Sequence, residues 1–191
     1  MPNPFDPVRF ADNPEPRAPC VLVVDTSPAM GPDGLSQAAA LLASLVEQWA
    51  ADPETAKSVE LAVVTATPPR VASGFAMVDP FVAPTLQLGT AASLPAAVDL
   101  AIDLVLDRKR AVRAQGLLLY RPTLLILTPG ATTTAWDATA ERLRAGNADR
   151  AFHATALAPP GADVDLLEAV TGMPPMPTTG LRLRDLLPWV G

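Results

Sequence analysis

The chain alternates between two hydrophobic rhythms. Short continuous runs of β-branched and aliphatic residues appear as "CVLVVD" (20–25), "VELAVVTA" (59–66), "TLLILT" (123–128) and "AFHATALA" (151–158). Runs of this length without polar alternation fit strands buried on both faces. Between them, apolar residues recur every three or four positions, as on one side of a helix. Over 35–50 the stripe is Leu35, Ala38, Leu42, Leu45, Val46 and Trp49, with Glu47 and Gln48 off it. Over 94–115 it includes Leu94, Val98, Ala101, Ile102 and Val105, and Gly116 follows as a C-cap. Shorter helices are expected at 134–145 and 163–170, and a terminal one at 181–190. The segment "RVASGFAMV" (70–78) reads as a strand, and only "TPP" (67–69) separates it from the run before. That link is too short for a helical crossover, so these two strands should pair antiparallel.

Strands alternating with helices predict an α/β fold, doubly wound, with a mostly parallel sheet, one antiparallel edge strand and helices on both faces. The 22 prolines gather at the start and in "TPPR", "DPFVAP", "APPG" and "TGMPPMP". Proline fixes φ and removes a backbone donor, so these clusters mark loops. No internal repeat or second core is visible. The expected organisation is a proline-rich N-terminal segment, 1–17, and a single domain, 18–191.

Such sheets bind ligands beyond the carboxyl ends of their strands, where the strand order reverses. Three loops reach that rim with polar groups: Asp25-Thr26-Ser27 after the first run, "LGT" (88–90) before the long helix, and Thr128-Pro129-Gly130 after "TLLIL".

Composition narrows the chemistry. With 191 residues, 49% of them hydrophobic, the chain can bury a sizeable core. A net charge of −6 argues against a sequence-independent grip on nucleic acid or anionic lipid. The single cysteine, Cys20, allows neither an internal disulfide nor a cysteine-based zinc site. The opening stretch has no apolar core of signal-peptide length, and no apolar run approaches the ~20 residues that cross a bilayer. A cytoplasmic protein is the expectation, with no nucleic acid bound and no membrane insertion.

The ordered set "VLVVDTSPAMG", "VELAVVTA", "LGTAASLPAAVDLAIDLVLDRKRAVRAQG", "YRPTLLILTPGATTTAWD" and the closing "LPWV" resembles a von Willebrand factor A (vWA) domain, in its TerY-like branch linked to tellurium resistance. The resemblance covers nearly the whole chain. It implies a Rossmann-like vWA fold and a metal-ion-dependent adhesion site: Asp-x-Ser-x-Ser in the first loop, a Thr in the second and an Asp in the third. Hard cations suit such a site, because Mg²⁺ takes oxygen ligands near octahedral geometry and keeps several waters. An open position then accepts a partner's carboxylate.

Asp25, Ser27 and Thr90 stand where the family has its first acid, first Ser and Thr. Ala29 replaces the second Ser, and Pro129 replaces the third-loop acid of the usual Thr-Asp-Gly. A methyl group and a pyrrolidine ring cannot ligate a cation. Loss of a supporting group alone weakens a metal site by about 10–100-fold, so the expected site is degenerate and any Mg²⁺ binding weak. The same resemblance implies a cytoplasmic adaptor in tellurite- or stress-response complexes, alongside protein kinase and phosphatase partners. The surface expected to bind another protein comprises Asp25, Ser27, Thr90, Pro129 and Trp136, with Thr132-Thr133-Thr134 lowering its charge.

Bland readings stand beside these. Asp25 at a strand end can simply accept bonds from its own turn. Trp136 is either an exposed anchor at the rim or a core residue opening a helix. The basic run Arg108 to Arg113 reads as a solvated helix end complementing the macrodipole. Ser27 lacks the Gly-x-Ser-x-Gly setting of a nucleophile, and His153 is the chain's one histidine. A phosphoryl-transfer enzyme needs a second acid two residues after Asp25, where Ser27 stands, and has only Lys57 and Lys109 for its phosphate. No phosphate-cradling Gly-x-x-x-x-Gly-Lys occurs.

Overall fold

Where the chain must span its core with bare backbone, every apolar run becomes a strand. The computed structural model describes residues 13–90, 94–130, 135–181 and 186–187. Six strands form one sheet: β1 (Ala18–Val24), β2 (Val59–Ala66), β3 (Pro69–Met77), β4 (Thr123–Leu127), β5 (His153–Ala158) and β6 (Met176–Pro177). Their order is β3-β2-β1-β4-β5-β6, parallel throughout except for the antiparallel β2–β3 pair. The doubly wound α/β expectation is met, including the antiparallel edge strand. β1, β2 and β4 are buried along their whole length, as continuous apolar runs require.

The helices are α1 (Gly31–Ala51), α2 (Pro53–Ser58), α3 (Leu94–Ala114), α4 (Asp137–Ala148) and α5 (Val164–Thr171). On one face of the sheet, Val21, Val23, Val64 and Ile126 pack with Val98, Ala101 and Val105 of α3 and Leu143 of α4. On the other, Cys20, Leu22, Leu61 and Leu125 meet Leu42, Leu45 and Trp49 of α1, with Leu186 and Leu187 closing that layer. Of the predicted terminal helix, Leu181 also packs on that layer, and 182–185 and 188–190 lie outside the described residues.

Two boundaries move for local reasons. α1 begins at Gly31, a turn before the apolar stripe, because a short 3-10 turn (Pro28–Met30) leads into it and Pro32 is tolerated in a first turn. Gly31 has φ 63, a conformation natural to glycine. α2 has no apolar stripe to announce it; the Asp52 side chain caps it by accepting from the N–H groups of Glu54 and Thr55.

Residues at the boundary of the proline-rich segment are tied to the domain. Arg17 is 2% exposed and bridges to Leu119 through the backbone, and Asn13 donates to the Lys57 carbonyl at 2.7 Å.

Candidate functional site

β1 and β4 are neighbours from which the sheet is wound outward in opposite directions, so the crevice lies where their carboxyl ends stop. Asp25 is the first residue beyond β1, and its N–H donates to the Leu127 carbonyl at 2.9 Å. Its side chain is 1% exposed. Oδ1 accepts from the Ser27 N–H at 2.9 Å, and Oδ2 accepts from the Thr128 hydroxyl at 2.8 Å. Thr128 Oγ1 in turn accepts from the Gly130 N–H at 3.0 Å. First and third loops are thus joined through one carboxylate.

The second loop is held by the residue between Asp25 and Ser27. The Thr26 carbonyl accepts from the Gly89 N–H at 2.8 Å, and its hydroxyl accepts from the Thr67 N–H at 2.9 Å. A Cβ on Gly89 would lie 2.1 Å from Thr67 Cγ2 and 2.8 Å from the Thr67 carbonyl oxygen, so this approach requires glycine. Thr90, next in the chain, is exposed. Pro129 is half-buried, and its carbonyl accepts from the Asp163 N–H at 2.9 Å, bringing the turn before α5 to the same rim.

The donor set can be tested against the cation that a vWA-type site implies. The one carboxylate has both oxygens engaged by protein donors. Ala29 and Pro129 supply no side-chain oxygen, and the described residues hold no group of three or more His, Cys, Asp or Glu that could hold a metal. Ser27 Oγ is the exception: it is buried and has no hydrogen-bond partner among the described residues. Asp25, Ser27 and the exposed Thr90 thus offer at most three side-chain ligands and one negative charge, with the Asp25 oxygens already shared with protein donors, a poor fit to a resident Mg²⁺.

Trp136 must be corrected. It is 9% exposed and packs in the core with Ala140 and Leu143, because the turn into α4 folds its indole under the helix rather than over the rim. It offers no exposed anchor. α4 itself starts at Asp137, three residues later than the expected 134, and Thr132, Thr133 and Thr134 lie outside the described residues. Exposed apolar groups near the rim come instead from Leu88 (40% exposed), beside Gly89, and Val164 (48%), beside Asp163.

The groups that nucleophilic or phosphoryl chemistry would need stand elsewhere. In the register of the parallel strands, His153 pairs with Thr123 while Leu127 pairs with Val24. His153 is therefore at the far end of the sheet from Ser27, a separation on the order of 15 Å at strand rise. Burial, and then the charge of Arg121, push its pKa below the ordinary value. Lys57 lies in the last turn of α2, before β2 begins, and Lys109 lies near the end of α3, so neither reaches Asp25.

Thr26, Gly89 and Thr128 lie in the three loops that the sequence brings to the rim, but nothing in the sequence singles them out as site residues. The bond from Thr128 to Asp25 spans 103 positions and leaves no local pattern.

No family model and no curated protein matches this chain. Solved structures do. The manganese-loaded TRAP protein of Plasmodium vivax superimposes with a TM-score of 0.55 at 13% identity, over 83% of this chain and 64% of that one. The fold is vWA-like. The N-terminal domain of TFIIH p34 matches with a TM-score of 0.55 at 18% identity, over 95% of this chain and 98% of that one. Proximal thread matrix protein 1 from the mussel byssus matches with a TM-score of 0.52 at 14% identity, over 92% of this chain. The chain spans 45% of the mussel protein and under two thirds of TRAP, and at such identities the likeness is one of fold. Among the described residues, no helix is long and apolar enough to cross a membrane.

Proposed function

We propose that this vWA-like domain is a non-enzymatic protein-interaction module whose docking surface is the rim around Asp25, Thr90 and Pro129, and that the adhesion-type cation site there is degenerate. The observation that carries this reading is the Asp25 carboxylate, buried and accepting from the Ser27 N–H and the Thr128 hydroxyl of its own chain. In this reading Asp25 holds loops rather than metal, Thr90 supplies a polar contact, and Leu88 and Val164 supply apolar area. The vWA-like neighbours support the interaction role. The TerY-like resemblance adds the finer proposal of a cytoplasmic adaptor in a tellurite- or stress-response complex, with a kinase or phosphatase as partner.

The test is capture from the native host with the parent protein and with Leu88→Asp plus Val164→Asp, each with and without EDTA. A specific partner kept in EDTA and lost in the double variant supports the proposal. Retention by the double variant would refute the rim as the docking surface.

The unpartnered Ser27 hydroxyl favours a second reading, a Mg²⁺-dependent adhesion module in which a partner's carboxylate completes the coordination. Capture that disappears in EDTA would select it.

A further inference from the structure

At the opposite end of the sheet a second feature owes nothing to the rim. The basic run near the end of α3 does not act as one patch. Arg108 turns inward, donating to both Glu60 oxygens at 2.8 Å and stacking 5.3 Å from the Phe75 ring centroid. Arg110 pairs with Asp107. Lys109 and Arg113, four residues apart and so on one helix face, line a concave pocket of about 470 Å³. Arg121, from the segment entering β4, and Arg150, from the turn leaving α4, line it too, with Leu119 and Tyr120 among its other walls.

Four of this chain's 14 Lys and Arg thus meet in one cavity, and no carboxylate lines it. The two most enclosed cations are held by neutral oxygens. Lys109 Nζ donates to the Ala151 carbonyl at 2.7 Å. Arg121 donates from Nε to the Phe152 carbonyl and from Nη2 to the Asn147 carbonyl, both at 2.8 Å. These bonds fix the side chains and leave their charge uncancelled. Burial, and then Arg113 and Arg121, lower the pKa of Lys109; burial, and then Arg150, lower that of Arg121.

Helix-end capping accounts for only part of this. The carboxyl ends of α3 and α4 both point here, and each contributes roughly −0.5 of a charge. Together they offset about one of four cations. Arg150 is the further sign. It follows the α4 C-cap with φ 54, the chain's one non-glycine residue with positive φ among those described. Glycine is the usual occupant of that position, and an arginine there is a strained choice that places a cation at the pocket mouth.

We infer that this pocket binds the phosphoryl group of a phosphorylated ligand. A dianion relieves the mutual repulsion of several cations more fully than a carboxylate, and guanidinium forks match phosphate oxygens in pairs. Leu119 and Tyr120 give the body of the ligand an apolar wall. A nucleic-acid track fits less well: the positive potential is confined to one concavity on a chain of net charge −6.

The test uses the full-length protein at low ionic strength, titrated by calorimetry and by amide NMR. The probes are pyrophosphate, a phosphoserine peptide, its unphosphorylated form and a short single-stranded DNA. Arg150→Gly keeps the turn and removes the cation, and Arg113→Gln removes an exposed one; neither should lower the melting temperature. Saturable binding of pyrophosphate or of the phosphopeptide is expected, with shifts around Lys109 and Arg121. Each variant should weaken it by about tenfold, the scale of one charge-assisted hydrogen bond, while Asp25→Asn leaves it unchanged. Preference for the phosphopeptide over its unphosphorylated form would identify a protein source, and pyrophosphate alone a small-molecule one. No saturation by either phosphate probe, binding indifferent to both arginine variants, or tightest binding to the DNA would overturn the inference.

Discussion

The two ends of the sheet handle charge in opposite ways. At the carboxyl end one acid, Asp25, is buried and matched by neutral donors, and what reaches solvent nearby is Thr90, Leu88 and Val164, the last flanked by the exposed acids Asp163 and Asp165. At the amino end charges are dense. Arg17, Glu60 and Arg108 form a buried ionic cluster, and beside it four further cations share an unneutralised pocket. The two proposals accordingly divide recognition between the two ends of one sheet. Among the described residues, the carboxyl end carries acids and no clustered cations around its apolar groups, whereas the amino end gathers four cations in one concavity.

The largest expected effect comes from breaking the buried cluster. Glu60→Gln leaves Arg17, 2% exposed, without its counter-charge, and removing one partner of a buried pair costs about 3–5 kcal/mol. Urea unfolding should show a loss of that size; a loss below about 1 kcal/mol, the range of an exposed pair, would mean that the cluster is effectively solvated.

At the other end, Gly89→Ala forces a Cβ against Thr67, including its backbone carbonyl. Overpacking of this kind costs about 1–3 kcal/mol, and partner capture should fall with it because the second loop must lift from Thr26. Unchanged stability and capture would separate the second loop from the rim. Thr128→Val is milder. It leaves Asp25 Oδ2 without its donor, for about 1–2 kcal/mol within the range for an unsatisfied buried acceptor. Chemical denaturation would register this, and the Ser27 amide resonance should shift.

The smallest effect is a slope with pH at the amino end. His153 titrates below its ordinary value of 6.5 in the folded protein, through burial and then Arg121. As pH falls below about 6.5 the unfolded chain takes up a proton that the folded chain resists, so this residue's contribution is full above that pH and declines below it. Stability curves of the parent and of His153→Gln should diverge in that window and run parallel above it.

The first five strands were legible because their runs are short and rich in apolar residues, and the antiparallel β2–β3 pair followed from the "TPP" link that no helix could span; β6 was not, because Met176–Pro177 lies in "TGMPPMP", whose prolines read as a loop. α2 was illegible because "PETAKS" has no apolar stripe and owes its existence to the Asp52 cap. Asp25 and Ser27 stood out because they interrupt an apolar run. Thr128 did not, because its role appears only when β1 and β4 lie side by side. The cationic pocket was hidden for the same reason. Arg121 and Arg150 come from separate turns, and the run at 108–113 reads as uniform until helix geometry sends Arg108 inward and Lys109 and Arg113 outward.

The central claim is that the Asp25 carboxylate is satisfied by the chain itself, with too few oxygens left around it to hold a cation firmly. Titration of the protein with Mg²⁺ and Mn²⁺, in parallel with Asp25→Ala, tests this most directly. The account predicts no saturation at sub-millimolar metal and the same thermal midpoint with or without EDTA. Saturable sub-millimolar binding that vanishes in Asp25→Ala would contradict it.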